Sequence, residues 1–351
     1  MKRFLSVLIA MLLILCAFTA CSTPNPNVES NFEDKSESQV DTNKQTDESD
    51  KSSENENEGG NNSGSTEGGN ENEGGNTSGD STEDGNEEIP YVREGNYIYF
   101  GEYPQSIKSS SVTITTTVDS RGYFLGSDNA YYAKVVASPY DGTYKFSSNQ
   151  TVTKGSEYYF KVEPIKWRIL SESNGKAVLL CESIIDSSRY DDANNNYKNS
   201  EIRAWLNGSF YSKAFDELEA ALIQIVSVDN TLATTGYSQN ANVCENTNDN
   251  VYLLSYKDVT NSAYGFSANA DDVNVSRMKK TSDYAIANGA YTSVSTQIAY
   301  NGNGMWMLRT PNDSYTHFIR ECNDTGAVTD GGTNITNTFF GIVPAITITL
   351  K

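Results

Sequence analysis

Apolar and polar residues alternate at two distinct spacings from Ile89 to the end of the chain. Tyr97–Tyr103 (YIYFGEY) has the two-residue period of a strand, and Pro104 is predicted to stop it. From 106 to 161, short Thr-, Tyr- and Val-rich stretches are broken by Arg121-Gly122, Asp141-Gly142 and Lys154-Gly155, which predicts a β extension. IKWRIL (165–170) and KAVLLC (176–181) read as a hairpin turning at Asn174-Gly175. The period then lengthens. Ser200 is placed to cap a helix that carries Ile202, Trp205 and Leu206 on one face, with Gly208 as its breaker. After Ser212, the positions Phe215, Leu218, Leu222, Ile225 and Val226 predict one amphipathic helix. VYLL (251–254) is strand-like, Ser255 and Asp258 form a capping box, and 281–287 predicts a helix closed by Gly289. WMLR (306–309), GAVTDGG (326–332) and AITITL (345–350) return to short strands. Strands on either side of two central helices predict an α+β fold, not an alternating α/β sheet.

The first 88 residues follow neither period. Lys2 and Arg3 precede an apolar run, 4–17, too short to span a membrane and ending in small residues, which marks 1–20 as a secretory signal. Phe18-Thr19-Ala20-Cys21 resembles the lipobox of bacterial lipoproteins, which implies lipidation of Cys21 and a membrane anchor on the extracellular face. Residues 22–88 hold 19 Asp or Glu against 3 Lys and repeat NEGGN at 57–61 and 72–76. With almost no apolar side chains they predict an acidic disordered tether, 21–88 with its anchor, leading to one folded domain over 89–351. All 22 Tyr and 3 Trp fall in that domain. The net charge of −20 leaves no basic stripe to displace counterions from nucleic acid.

In order along the chain, FGEYPQS (100–106), VEPIKWRIL (162–170), NSEIRAWLNGSFYSKAF (199–215), VYLLSYKDV (251–259), GMWMLRTP (304–311) and GIVPAI (341–346) resemble the bacterial family called domain of unknown function 6273. The end of the domain is also similar to the C-type-lectin-like fold of the formylglycine-generating type. That resemblance implies a small twisted β core with two helices and irregular loops on one face. Some proteins of that fold are binders whose loops are rewritten by diversity-generating retroelements. Such rewriting of Asn codons does not yield Lys, Glu, Gln, Met or Trp, and within 312–340 only Glu321 belongs to those types. A Thr/Asn/Gly-rich turn region is depleted in long side chains for conformational reasons as well.

The candidate binding residues follow from this segment. Tyr315, His317, Phe318, Phe339 and Phe340 would offer aromatic area, and Asp313, Ser314, Thr316, Asn323 and Asn334 short hydrogen-bonding groups. The remaining chemistry is sparse. His317 is the sole histidine and has no nucleophile motif beside it. Cys181, Cys244 and Cys322 offer no local pair for a thiol oxidase and no zinc spacing. Asp192, Asn194 and Asn196 imitate the start of a calcium loop, but Tyr197 stands where its Gly belongs and Arg203 where its Glu belongs. Trp167, Trp205 and Trp306 read as core, with Arg168, Arg203 and Arg309 as candidate polar links. No metal, cofactor or catalytic residue is predicted. The sequence therefore favours a lipid-anchored cell-surface binder of an extracellular protein or glycan. A glycan-binding module and a cell-envelope enzyme of the sulfatase-modifying type are the alternatives.

Overall fold

Strand alternation from Tyr97 continues further than the sequence predicts. In the computed structural model, which describes residues 89–330 and 334–351, β1 (Val92–Glu94) folds back on β2 (Tyr97–Ile107). The signal segment 1–20, Cys21 and the tether 22–88 lie outside the described residues. Pro104 sits inside β2, paired with Val162. The strand has a neighbour on one side only at that point, so the missing N–H costs little. Gly101 bends β2 at φ +68°, and a Cβ there would lie 2.6 Å from the Phe215 ring. Only glycine meets both demands.

Next come β3 (Ile114–Val118), β4 (Phe124–Gly126), β5 (Tyr131–Val136) and the long β6 (Glu157–Ser173), followed by β7 (Lys176–Cys181). β6 organises the larger sheet. One of its edges carries β5 and then β7, while the other carries β2. The β extension is therefore continuous with the main sheet. Phe146, Phe160, Val152 and Ile286 give it a small core of its own. Asn174 and Gly175, at φ +50° and +69°, close the β6–β7 hairpin as the dipeptide predicts.

Two short strands, β8 (Ser183–Ile184) and β9 (Asp186–Ser187), lead to the helices. Ser200 caps α1 (Glu201–Trp205), accepting a hydrogen bond from Arg203 N–H. Gly208 does not end this helix. A π turn over 206–210 carries it into α2 (Tyr211–Ala214). The single amphipathic helix predicted after Ser212 is not formed. Phe215 is extended (φ −128°, ψ 134°), which sets its ring 5.3 Å from Phe100 and 6.0 Å from Phe210. Asp216 and Glu219 then cap a separate α3 (Glu217–Ala220), and Val226 begins β10 (Val226–Val228). Leu218 and Ile225 are left exposed. Burying one aromatic ring has outweighed helical periodicity.

β11 (Thr247–Asp249) and β12 (Val251–Tyr252) precede α4 (Tyr256–Val259), which begins at the predicted Ser255–Asp258 capping box. β13 (Lys280–Thr281) and α5 (Asp283–Ala287) follow. A second sheet has the order β16-β15-β14-β17-β9, where β14 is Trp306–Pro311, β15 Ile319–Cys322, β16 Val328–Thr329 and β17 Gly341–Ile342. The last strand, β18 (Ala345–Thr349), returns to the larger sheet between β12 and β7. Strand makes up 35% of the structure and helix 14%, so the α+β class stands. Trp167 and Trp306 are fully buried, and their indole N–H groups donate to Phe100 O (2.7 Å) and Arg277 O (2.9 Å). Among the described residues no helix is long and apolar enough to cross a membrane.

Candidate functional site

The strands β14 and β15 pair from Pro311–Ile319 at one end to Trp306–Cys322 at the other, so residues 312–318 form the loop that joins them. The loop is shaped by asparagines. Asn312 Oδ1 accepts from the N–H groups of Ser314 and Tyr315 and closes a turn on itself. Asn195, 2% exposed, donates from Nδ2 to Tyr315 O (3.0 Å) and Phe318 O (2.8 Å), while its own N–H donates to Thr316 O (2.7 Å). Asn240 and Asn242 donate to Pro311 O and Asn312 O. The loop carbonyls are thus held from below, and the side chains of Ser314, Tyr315, Thr316 and His317 face solvent. The rings gather. Tyr315 lies 5.7 Å from His317 and 5.6 Å from Phe318, and His317 lies 4.2 Å from Phe318.

The other predicted residues divide. Asp313 and Asn334 belong with this loop. Asp313 accepts from Ser314 Oγ, and Asn334 forms a bridge with Phe318 and spends its carbonyl on Thr336. Asn323 lies past the far end of β15, where its side-chain oxygen accepts from Thr325 and Ala327 and shapes that turn. Phe339 packs 4.8 Å from Tyr140, away from the loop and beside Tyr291. Phe340 is 0% exposed and is corrected to a core residue. Ile319 through Cys322, Val328 and Ile335 are buried as well. The described residues of this stretch, 312–330 and 334–340, are therefore short surface segments alternating with interior ones.

A feature the sequence did not single out adjoins the loop. The Arg320 guanidinium, 8% exposed at residue level, lies 4.2 Å from the ring centroids of both Tyr237 and Tyr256. This is a double cation–π arrangement. Its Nε is 3.4 Å from Asp330 Oδ1 but outside hydrogen-bonding geometry, and Tyr237 donates its hydroxyl to the same carboxylate. Burial, reinforced by that charge, pushes the Tyr237 phenol up to about 12. Beside the stack is a depression of about 580 Å³, lined by Tyr256, Asn269, Asp271, Arg320, Thr329 and Asp330. Asn312 Nδ2 donates to Asp330 O, so loop and depression share an edge.

The depression's outer wall is fixed by Arg277. This fully buried guanidinium donates to the carbonyls of Val259, Ser267, Asn269, Ala270, Asp272 and Gly326. The arginines singled out by the sequence have structural partners: Arg309 pairs with Asp258 (2.8 Å) and Arg203 with Asp249 (2.6 Å). Arg168 instead lies over the Phe266 ring. Asp249 is consumed by Arg203 and Thr247, and among the described residues no group of three His, Cys, Asp or Glu is placed to hold a metal ion.

Among the described residues, Cys181, Cys244 and Cys322 are unpaired. Burial pushes the Cys181 thiol up to about 11 and raises Cys322 further still, which opposes the thiolate that oxidase chemistry requires.

A family model described as a domain of unknown function, DUF6273, matches residues 174–350. The match takes in the loop, the arginine stack and the smaller sheet. FGEYPQS and VEPIKWRIL, expected to carry the resemblance further toward the N-terminus, lie before it. No curated protein and no solved structure matches the chain.

Proposed function

The chain belongs to the DUF6273 family, and from that premise and the surface just described we propose that it is a ligand-binding protein of the cell surface, held to the membrane by a lipid on Cys21. The contact surface is the 313–318 loop, where Tyr315, His317 and Phe318 supply aromatic area and Asp313, Ser314 and Thr316 supply short polar groups. The Arg320 stack and its depression form the neighbouring part. One observation carries this reading: an exposed aromatic cluster stands on a loop whose carbonyls are pinned by the buried Asn195 and by Asn240 and Asn242. Preorganised rings lose little entropy on binding, which is how aromatic-rich paratopes gain affinity.

The finer fold reading, a C-type-lectin-like scaffold with retroelement-diversified loops, belongs to the same proposal. Diversification would be confined to the exposed positions, because β15 is interior. A copy of the 312–340 coding segment in neighbouring DNA that differs only at adenines would support it, and differences at other bases would rule it out.

Binding itself is tested by screening the purified full chain against arrayed glycans and extracellular proteins, then repeating the hits with Tyr315, His317 and Phe318 all changed to Ala. Loss of at least about tenfold in affinity, with unchanged thermal stability, is expected for hot-spot rings. Hits that survive the triple change would overturn the assignment. For the anchor, Cys21→Ser is expected to move the protein from the membrane fraction to the medium.

A further inference from the structure

A second cleft, remote from the 313–318 loop in its residues, lies between the β extension and the segment around β13. Its volume is about 720 Å³. One wall is the turn 143–149 and the other runs through Lys280, Asp283 and Thr292. The walls are tied together. Asp283 accepts from Ser147 N–H (2.7 Å), from Ser147 Oγ (2.6 Å) and from Ile107 N–H (2.9 Å), so both carboxylate oxygens are occupied. Thr292 N–H donates to the Tyr144 hydroxyl (3.4 Å), and Phe146 packs against Phe160 and Tyr158. A cleft braced this way is formed before any ligand arrives.

Its lining carries two lysines against one carboxylate, in a chain whose net charge is −20. Lys134, Lys161, Lys198 and Lys279 each pair with a carboxylate. Lys145 and Lys280, which line the cleft, have no such partner among the described residues. Lys280 Nζ donates to Asn301 O and keeps protons for another acceptor. Asp283, the only carboxylate of the lining, is held by three hydrogen bonds from Ser147 and Ile107, and the two lysines outnumber its charge. Thr292 is 5% exposed, and its Oγ1 has no hydrogen-bond partner. A buried hydroxyl left unmatched is costly unless something else satisfies it.

We propose that this cleft binds a phosphate group. Two ammonium point charges and a free hydroxyl suit a compact anion with several acceptor oxygens. The remaining volume accommodates an organic substituent. The site is independent of the proposed ligand surface and stands or falls without it.

Isothermal titration of the purified full chain with glycerol 3-phosphate, with inorganic phosphate and with glycerol tests the assignment. Saturable binding of a phosphate is expected, with no heat from glycerol, and with affinity falling as salt is raised. Lys145→Ala combined with Lys280→Ala is expected to weaken binding at least tenfold. Both lysines are exposed, so the fold tolerates their loss, and Thr292→Val provides an uncharged check with a few-fold loss. Tighter binding of glycerol 3-phosphate than of inorganic phosphate assigns the cleft to a phosphorylated organic ligand, and equal binding assigns it to free phosphate. Absence of saturation with either, or unchanged affinity in the double variant, would sink the proposal.

Discussion

Asp186 is a buried carboxyl whose ionisation the fold resists. It is 7% exposed and accepts from the Tyr103 hydroxyl (2.8 Å), Asn288 Nδ2 (2.8 Å) and Ser187 N–H (2.8 Å). Burial raises its carboxyl above the usual carboxylate range, and the three donors offset that only in part. Tyr103 is raised well above its ordinary value in turn, by burial first and by the Asp186 charge second. Below about pH 4 the carboxyl is protonated in the folded and unfolded chain alike, and Asp186 brings no ionisation penalty. As pH rises the unfolded carboxyl ionises first, so the fold bears a growing cost until the folded value is passed. Asp186→Asn removes that dependence, since its side chain is uncharged throughout. The stability of the wild type relative to Asp186→Asn is therefore expected to increase as pH falls from 7 toward 4, read from urea unfolding midpoints. Parallel pH profiles for the two proteins would show that the buried carboxyl is not the titrating group.

At the scale of elements, the loop 312–318 depends on a side chain far away in sequence. Asn195→Ala strips the donors from Tyr315 O and Phe318 O and leaves the site beneath the loop unfilled. A stability loss of about 1–3 kcal/mol is expected from carbonyls losing their partners, together with faster amide exchange confined to the loop and to the Asn334–Thr336 segment resting on it. Exchange unchanged in the loop would mean that Asn240, Asn242 and Asn312 hold it unaided.

The same elements separate what local chemistry announces from what it hides. Asn174-Gly175 and the Ser255–Asp258 cap were legible because each is a local demand, positive φ in one case and a free N–H in the other. The break at Phe215 was not legible: its cause is a pocket made by Phe100, Trp167 and Gly101, and helical period reads only near neighbours. The candidate site divides along the same line. The exposed rings of Tyr315 and His317 follow from a polar loop between two apolar strands. Arg320 lies next to them, but its meaning comes from Tyr237 and Tyr256, which only the folded chain brings to it. Phe339 and Phe340 look alike in sequence, yet one reaches Tyr140 and the other fills the core.

For the molecule as a whole, charge and apolar content are distributed in opposite senses. Residues 22–88 carry 19 acids and 3 lysines, while every Tyr and Trp lies beyond them. The tether expected of that composition would add nothing to the domain's stability, and at physiological salt its charges would be screened beyond about 8 Å. The domain's stability should then be its own. Deleting 22–88 while keeping Cys21 is expected to leave the urea midpoint of the remaining chain unchanged and the slope of the unfolding line unaltered, since no buried surface is lost. On the proposed lipid anchor at Cys21, the deletion should also change reach: a free chain of that length would have a root-mean-square span on the order of 45 Å, and its removal would bring the domain nearer the bilayer. On intact cells, an antibody against the domain is expected to label the shortened protein less well than the full chain at equal abundance, while the two label equally after detergent release. A lowered midpoint in the deleted form would mean that the acidic segment packs on the domain. Equal labelling on cells would mean that it does not act as a spacer.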